Sequence, residues 1–199
     1  MTLLNSGWGT RLLDYDNDGW KDLLVGQAHV MDTIERTYPQ LHYRDPMLLA
    51  RNTGQGFVDV SADSGLVFHE HWASRGMAIG DLDNDGADRC CSDRERRPDS
   101  HPPQRDADRN HWLTLNRVER KSNPDAIGAE VKLMSAAGEQ SATVTTSGSY
   151  LSSSDKKVHF GLGVESVVKE IDIRWPSGIR QTLREIQSDQ LLRVDEPVR

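Results

Sequence analysis

Long apolar runs are missing: nothing in the 199 residues approaches the roughly 18 consecutive apolar positions that cross a bilayer. Basic residues are outnumbered, 24 against 31 acidic ones for a formal charge of -7, and no basic stripe interleaved with aromatics occurs. That balance argues against a nucleic-acid partner. Cysteine is confined to the adjacent pair Cys90 and Cys91, a spacing that rarely satisfies disulfide geometry, so the cysteines carry no information on compartment. The opening "MTLLNSGWGT" lacks the charged-then-apolar pattern of a secretory signal, which reads as either a cytosolic start or a truncated chain. The most local deficit lies at 89–109, "RCCSDRERRPDSHPPQRDADR", which holds no Val, Ile, Leu, Met or aromatic residue and is expected to form no buried strand.

With 36% apolar content the chain can still pack a core, divided over one or two domains. Two copies of one short pattern stand near the start. In "GTRLLDYDNDGWKDLLVG" an apolar pair precedes an acidic loop and "DLLVG" follows it, which predicts strand, loop, strand. The second copy, "RGMAIGDLDNDGADR", repeats the loop 67 positions later, counted from Asp14 to Asp81, after the strand "GMAIG". Between them "ARNTGQGFVDVSADSGL" reads as two short strands around the turn "NTGQG". This period exceeds the roughly 40–50 residues of a propeller blade, and "MDTIERTYPQLHYRDP" reads as the insertion that lengthens it.

The loops carry the clearest chemistry. In the first, Asp14, Asp16 and Asp18 alternate, Gly19 permits the turn, Trp20 offers a carbonyl and Asp22 closes the loop. Four carboxylates within nine residues repel one another unless a cation sits among them. All-oxygen ligands on a flexible loop select calcium over zinc or copper, and over magnesium, which demands a tighter shell. An EF-hand would need Glu at the twelfth position, where Val25 stands. A solvated "DNDG" turn is the plain alternative. The second loop offers Asp81, Asp83 and Asp85, with Gly86 at the turn and Ala87 as carbonyl donor, but its ninth position is Arg89, with Asp88 one residue early. Its calcium site is expected to be the weaker one.

Residues 110–199 read as a separate domain. Runs at "HWLTLNRV", "AEVKLMSA", "SATVTTSG", "KVHFGLG", "KEIDIRWP", "RQTLREI" and "QLLRVDEP", divided by turn signals, predict about seven short strands in a small antiparallel sandwich or barrel. Alternation places Ile171, Ile173 and Trp175 on one face of their strand. "LSSSDKK" and "KSNPDAIG" are polar loops at sheet ends, where binding residues tend to sit, although loop polarity by itself more often marks a turn.

Certain long motifs resemble known families. "SGWGTRLLDYDNDGWKDLLVGQAHV" and "SRGMAIGDLDNDG" resemble the FG-GAP or VCBS repeats of secreted propellers, while "NHWLTLNRVERKSNPDAIGAEVKL", "SGSYLSSSDKKVHFGLG" and "IDIRWPSG" are similar to the ASPIC/UnbV domain of cartilage acidic protein-like chains. The resemblance implies an all-β fold, with partial propeller blades over 1–87 and an ASPIC/UnbV-like β-domain over 110–199. It also implies a calcium-binding, non-catalytic binding, adhesion or scaffold module in a parent protein outside the cell or in the periplasm. Its partner would be a protein or a glycan, and missing blades would belong to a longer propeller. Between the two units, 88–109 reads either as a charged linker, expected to be disordered, or as the product of paired frameshifts, since Arg-Cys-Cys codons read one base later become GNT, GYT and GYN.

Particular residues admit rival functions. His69 and His71 in "FHEHW" would share one face of a strand and, with a third ligand, hold zinc, so a metal-dependent hydrolase centred there or on the acidic loops is one alternative. A non-functional fragment is another. "TTSGSYLSSSD" lacks a nucleophile elbow. Trp8, Trp20, Trp72, Trp112 and Trp175 each adjoin an apolar strand pattern and are expected in the core.

Overall fold

The computed structural model describes residues 5–92, 110–118, 123, 125–136 and 138–198. The fold is all-β, and no closed barrel forms among the described residues. Strand β1 (Gly7–Leu13) pairs antiparallel with β2 (Asp22–Gln27), β2 with β3 (Leu48–Asn52), and β3 with β4 (Phe57–Asp59), giving a four-stranded meander. The "NTGQG" turn joins β3 and β4 as its Asn and Gly content requires, with Gly54 at φ 75°. A separate antiparallel hairpin follows, β5 (Met77–Gly80) with β6 (Arg89–Ser92). Leu13, Leu24, Leu49, Phe68, Met77 and Cys90 form one core, so sheet and hairpin share their apolar side.

Strand β6 corrects one expectation. Arg89–Ser92 belongs to the stretch expected to form no buried strand, yet its backbone is paired with β5 and Cys90 is only 3% exposed. A two-stranded ladder needs backbone groups and one inward side chain, and a cysteine behaves there as a small hydrophobe. The first unit therefore extends to Ser92. Residues 93–109 of the expected linker lie outside the described residues.

The second unit contains the seven expected strands: β7 (His111–Val118), β8 (Glu130–Met134), β9 (Glu139–Thr143), β10 (Val158–Gly163), β11 (Val167–Arg174), β12 (Arg180–Gln187) and β13 (Gln190–Asp195). They form two sheets, β10-β7-β13 and β12-β11-β8-β9. The last strand runs parallel to β7, a non-local pairing that no local pattern encodes. Leu113, Leu115 and Phe160 of one sheet pack with Val131, Leu133, Ile171 and Ile173 of the other around Trp175. The alternation read on β11 is the cause: Ile171, Ile173 and Trp175 are all buried, while Lys169 and Arg174 between and beside them face water.

Of the five tryptophans, Trp175 alone is fully buried. Trp20 departs from the expectation most, at 54% exposed, with its indole lying over Gly54, where a Cβ would meet Cζ2 at 3.3 Å. The histidine pair also departs from it: Leu66–His69 is a 3-10 helix, so His69 and His71 do not share a strand face. They contact different carbonyls, Ala62 O at 3.0 Å and Arg44 O at 3.1 Å.

Candidate metal centre

The two acidic loops are conformational copies. Each closes an antiparallel hairpin in the same register, Leu13 opposite Asp22 and Gly80 opposite Arg89. Each turns through a left-handed Asn and a left-handed Gly: Asn17 at φ 57° with Gly19 at 92°, and Asn84 at φ 60° with Gly86 at 84°. In the first, Asp14 accepts from the Asp18 amide at 3.0 Å and the Gly19 amide at 2.9 Å, and Asp18 accepts from the Trp20 amide at 2.8 Å. In the second, Asp81 accepts from the Asp85 amide at 3.2 Å and the Gly86 amide at 2.9 Å, and Asp85 accepts from the Ala87 amide at 2.9 Å. Alternating Asp residues thus fold the turn with their own side chains.

The surroundings of the two turns differ. In the first loop one carboxylate oxygen each of Asp14, Asp16 and Asp18 lie within 4.8 Å of one another, and Asp14 and Asp16 are buried. Burial pushes the Asp14 carboxyl up to about 7, with Asp18 and Asp22 adding to the rise and Lys21 opposing it. Asp16 is raised by burial and then by Asp18. Arg51 Nε stands 2.8 Å from Asp16 Oδ2, at ion-pair distance but without hydrogen-bond direction, and Arg51 Nη2 stands 3.3 Å from Asp18 Oδ2. The other oxygen, Asp16 Oδ1, has no hydrogen-bond partner although Asp16 is only 2% exposed. A buried, unpartnered carboxylate oxygen beside two further carboxylates fits a hard cation with oxygen ligands. Asp14, Asp16 and Asp18 would hold it, with the Trp20 carbonyl next in the turn.

Asp22 makes contacts beyond those its spacing implied. It lies outside the three-carboxylate group, and its oxygens accept from the Tyr15 amide at 3.1 Å and the Asn52 amide at 2.8 Å. It ties the loop to both neighbouring strands. Burial raises its carboxyl to about 6 against those two hydrogen bonds.

In the second loop Asp81, Asp83 and Asp85 also converge, but Arg89 inserts among them. Its Nη1 pairs with Asp83 and lies 3.6 Å from Asp81 Oδ1, while Nη2 is 2.7 Å from Asp85 Oδ2. For Asp85, burial favours the neutral acid, yet the hydrogen bond and charge of Arg89 outweigh it and hold the carboxyl below its usual range. The guanidinium contacts all three carboxylates, and Asp83 and Asp85 are exposed. Arg89 thus neutralises this carboxylate group itself. Asp88, one residue early in the loop, lines a cleft of about 190 Å³ with Lys21, Asp155 and Lys157, where burial raises its carboxyl.

No local sequence pattern indicates that the loops form the seat of the second unit. Asn17, itself buried, donates through Nδ2 to Gly86 O at 3.2 Å, tying loop to loop. Its Oδ1 accepts from His159 Nε2 at 2.6 Å, and its carbonyl accepts from the Gly163 amide at 2.8 Å. His159 Nδ1 in turn accepts from Thr114 Oγ1 at 2.9 Å, so the ring is the neutral Nε2–H tautomer, and burial pushes its pKa down to about 3. Asn110 Nδ2 reaches Asp16 O at 2.8 Å, and Lys157 Nζ reaches Asp81 O at 3.0 Å and Asn84 Oδ1 at 2.8 Å. At Gly161 a Cβ would overlap Asp14 Oδ2 and the Asn17 backbone, which is how closely β10 lies on the first loop. The "KVHFGLG" signal gave the strand; nothing local in it gave the partner.

Residues 119–199 match the family model described as ASPIC and UnbV. The second unit is thus an ASPIC/UnbV domain from the residue after β7 onward, and it contributes β10, with His159 and Gly161, to the seam. No curated protein matches the chain. Among the described residues no helix is long and apolar enough to cross a membrane.

Proposed function

We propose that the protein is a non-catalytic, calcium-binding scaffold or adhesion module acting outside the cell or in the periplasm, in which one acidic loop holds the first unit to the ASPIC/UnbV domain. On this reading residues 5–92 are repeats of the FG-GAP/VCBS kind. Support for the repeat comes from two loops with one backbone conformation and one hairpin register, the first set in a four-stranded antiparallel meander. The observation that carries the metal reading is the buried, unpartnered Asp16 Oδ1 among Asp14, Asp16 and Asp18.

Bound calcium would supply positive charge to these carboxylates. The rest is done by the chain itself. Asp14 and Asp18 fold the turn through backbone amides, Asp22 braces it against β1 and β3, and Asn17 presents three bonds to the other loop and to β10. Neutralising Asp14 and Asp16 stabilises the turn and with it the docked ASPIC/UnbV domain, because ligand binding to the folded state alone adds its free energy to folding. In the second loop Arg89 supplies that charge covalently.

The test is thermal melting with calcium or with a chelator. Calcium at about 100 times its Kd should raise the wild-type Tm by on the order of 5–10 °C. Asp16→Ala should abolish the rise, and Asp83→Ala should leave it intact. A rise that survives Asp16→Ala would contradict the assignment.

A further inference from the structure

Lys156 and Asp125, far apart in sequence, meet in the ASPIC/UnbV domain. Lys156 Nζ lies 2.5 Å from Asp125 Oδ2, and beside them opens a cleft of about 330 Å³. Its wall includes Arg117, near the end of β7.

Arg117 has a guanidinium that the fold does not satisfy. The residue is only 4% exposed, and its Nη2 donates to Lys156 O at 2.7 Å, but Nε and Nη1 have no hydrogen-bond partner. No ion pair with Arg117 occurs among the described residues. Burial lowers its pKa to about 10, with only the charge of Asp155 acting the other way. A guanidinium stays charged in proteins, so this is a buried cation with idle donors, an arrangement that is costly unless something accepts from it.

The charges around the cleft say what would do so. Lys156 is paired with Asp125, and Lys157 with Asp155 at 3.0 Å. Among the described residues of the wall, three cations against two anions leave a net charge of +1, and the unmatched charge belongs to Arg117. A single negative charge balances the cleft, whereas a phosphate dianion would overshoot it. Neutral Asn116 and Ser154 complete the wall and suit the polar remainder of a small molecule. The Asp residues at the rim, each already engaged by a lysine, disfavour polyanions.

We propose that the cleft lined by Arg117, Asp125, Lys156 and Lys157 is a binding site for a small organic monocarboxylate. Its carboxylate takes the idle Nε and Nη1 donors of Arg117, a charge-assisted contact that guanidinium and carboxylate make well. This site is independent of the calcium loop and does not rest on the function proposed for it.

The Arg117 Nε–Hε group is a direct probe by ¹⁵N-resolved NMR on the full chain. Titration with sodium acetate should move that resonance along a saturable curve, while sodium chloride at matched ionic strength should not. Arg117→Lys keeps the charge but loses Nε and should weaken acetate, read by melting, by about tenfold. Should that variant fail to fold, Lys156→Glu, on an exposed side chain, keeps the resonance in view and should abolish the acetate response by adding a negative charge to the cleft. Equal shifts with chloride, a response to phosphate without one to acetate, or an acetate curve unchanged in Lys156→Glu would each overturn the proposal.

Discussion

Asn17 concentrates the chemistry of the molecule in one side chain and one carbonyl. A left-handed backbone at φ 57° is tolerated by Asn better than by most residues, and it turns the side chain toward Gly86 and His159 and the carbonyl toward Gly163. His159 makes the seam sensitive to acid, with a sign fixed by its lowered pKa. The folded ring stays neutral down to about 3, whereas the unfolded one takes a proton below about 6.5, so stability falls as pH drops through that window. Wild type should therefore lose its advantage over His159→Gln by roughly 1.4 kcal/mol per pH unit between about 6.5 and 4, read by chemical denaturation. Parallel curves would show that His159 is not buried neutral. Arg89 is the second decisive residue. It occupies the position equivalent to Asp22, 67 residues on, and supplies a cation of its own. Arg89→Asp removes that cation and recreates the first loop's carboxylate pattern, so calorimetry should find a second calcium bound per chain.

At the scale of elements, β10 matters most because it belongs to both structures at once: it pairs with β7 in its own sheet and lies on the first acidic loop. Gly161→Ala should cost about 1–3 kcal/mol, since the added methyl meets Asp14 and the Asn17 backbone, which cannot move aside cheaply. Gly56→Ala, where a Cβ meets nothing within 4 Å, is the control and should stay within about 0.5 kcal/mol. Equal effects in urea denaturation would mean that β10 does not press on the loop. Much of this level was legible in the amino-acid sequence. Alternating Ile171, Ile173 and Trp175 had to face a core, and the repeated Asp-x-Asp-x-Asp-Gly had to turn. What stayed hidden has physical reasons. β6 holds no aliphatic residue, and its pairing comes from the loop that returns the chain beside β5. The exposure of Trp20 follows from Gly54, whose missing side chain makes room for an indole on the surface.

For the molecule as a whole, two units share a seam built largely from the acidic loops, and on the proposed function ion binding, proton binding and domain docking would be one linked equilibrium. Asp14 and Asp22, with pKa values raised to about 7 and about 6, hold protons in the folded state that the unfolded chain loses above about 4. Without calcium these two groups therefore contribute less stability as pH rises from about 4 to 7. Calcium needs the ionised carboxylates, so the Tm gain it produces should grow over the same range and level off above about 7. A gain independent of pH would detach the ion from Asp14 and Asp22. The docking itself could not be read from either unit alone, because Asn17 meets His159 across 142 positions of sequence. The orphaned Arg117 was equally hidden: "HWLTLNRV" predicts a strand, and only the folded chain shows that its arginine is buried. The most direct measurement of the central claim is calcium stoichiometry by titration calorimetry on the full chain. One site per chain in wild type, none in Asp16→Ala and one still present in Asp83→Ala is the expected result. No calcium bound by the wild type, or binding that survives Asp16→Ala but not Asp83→Ala, would contradict it.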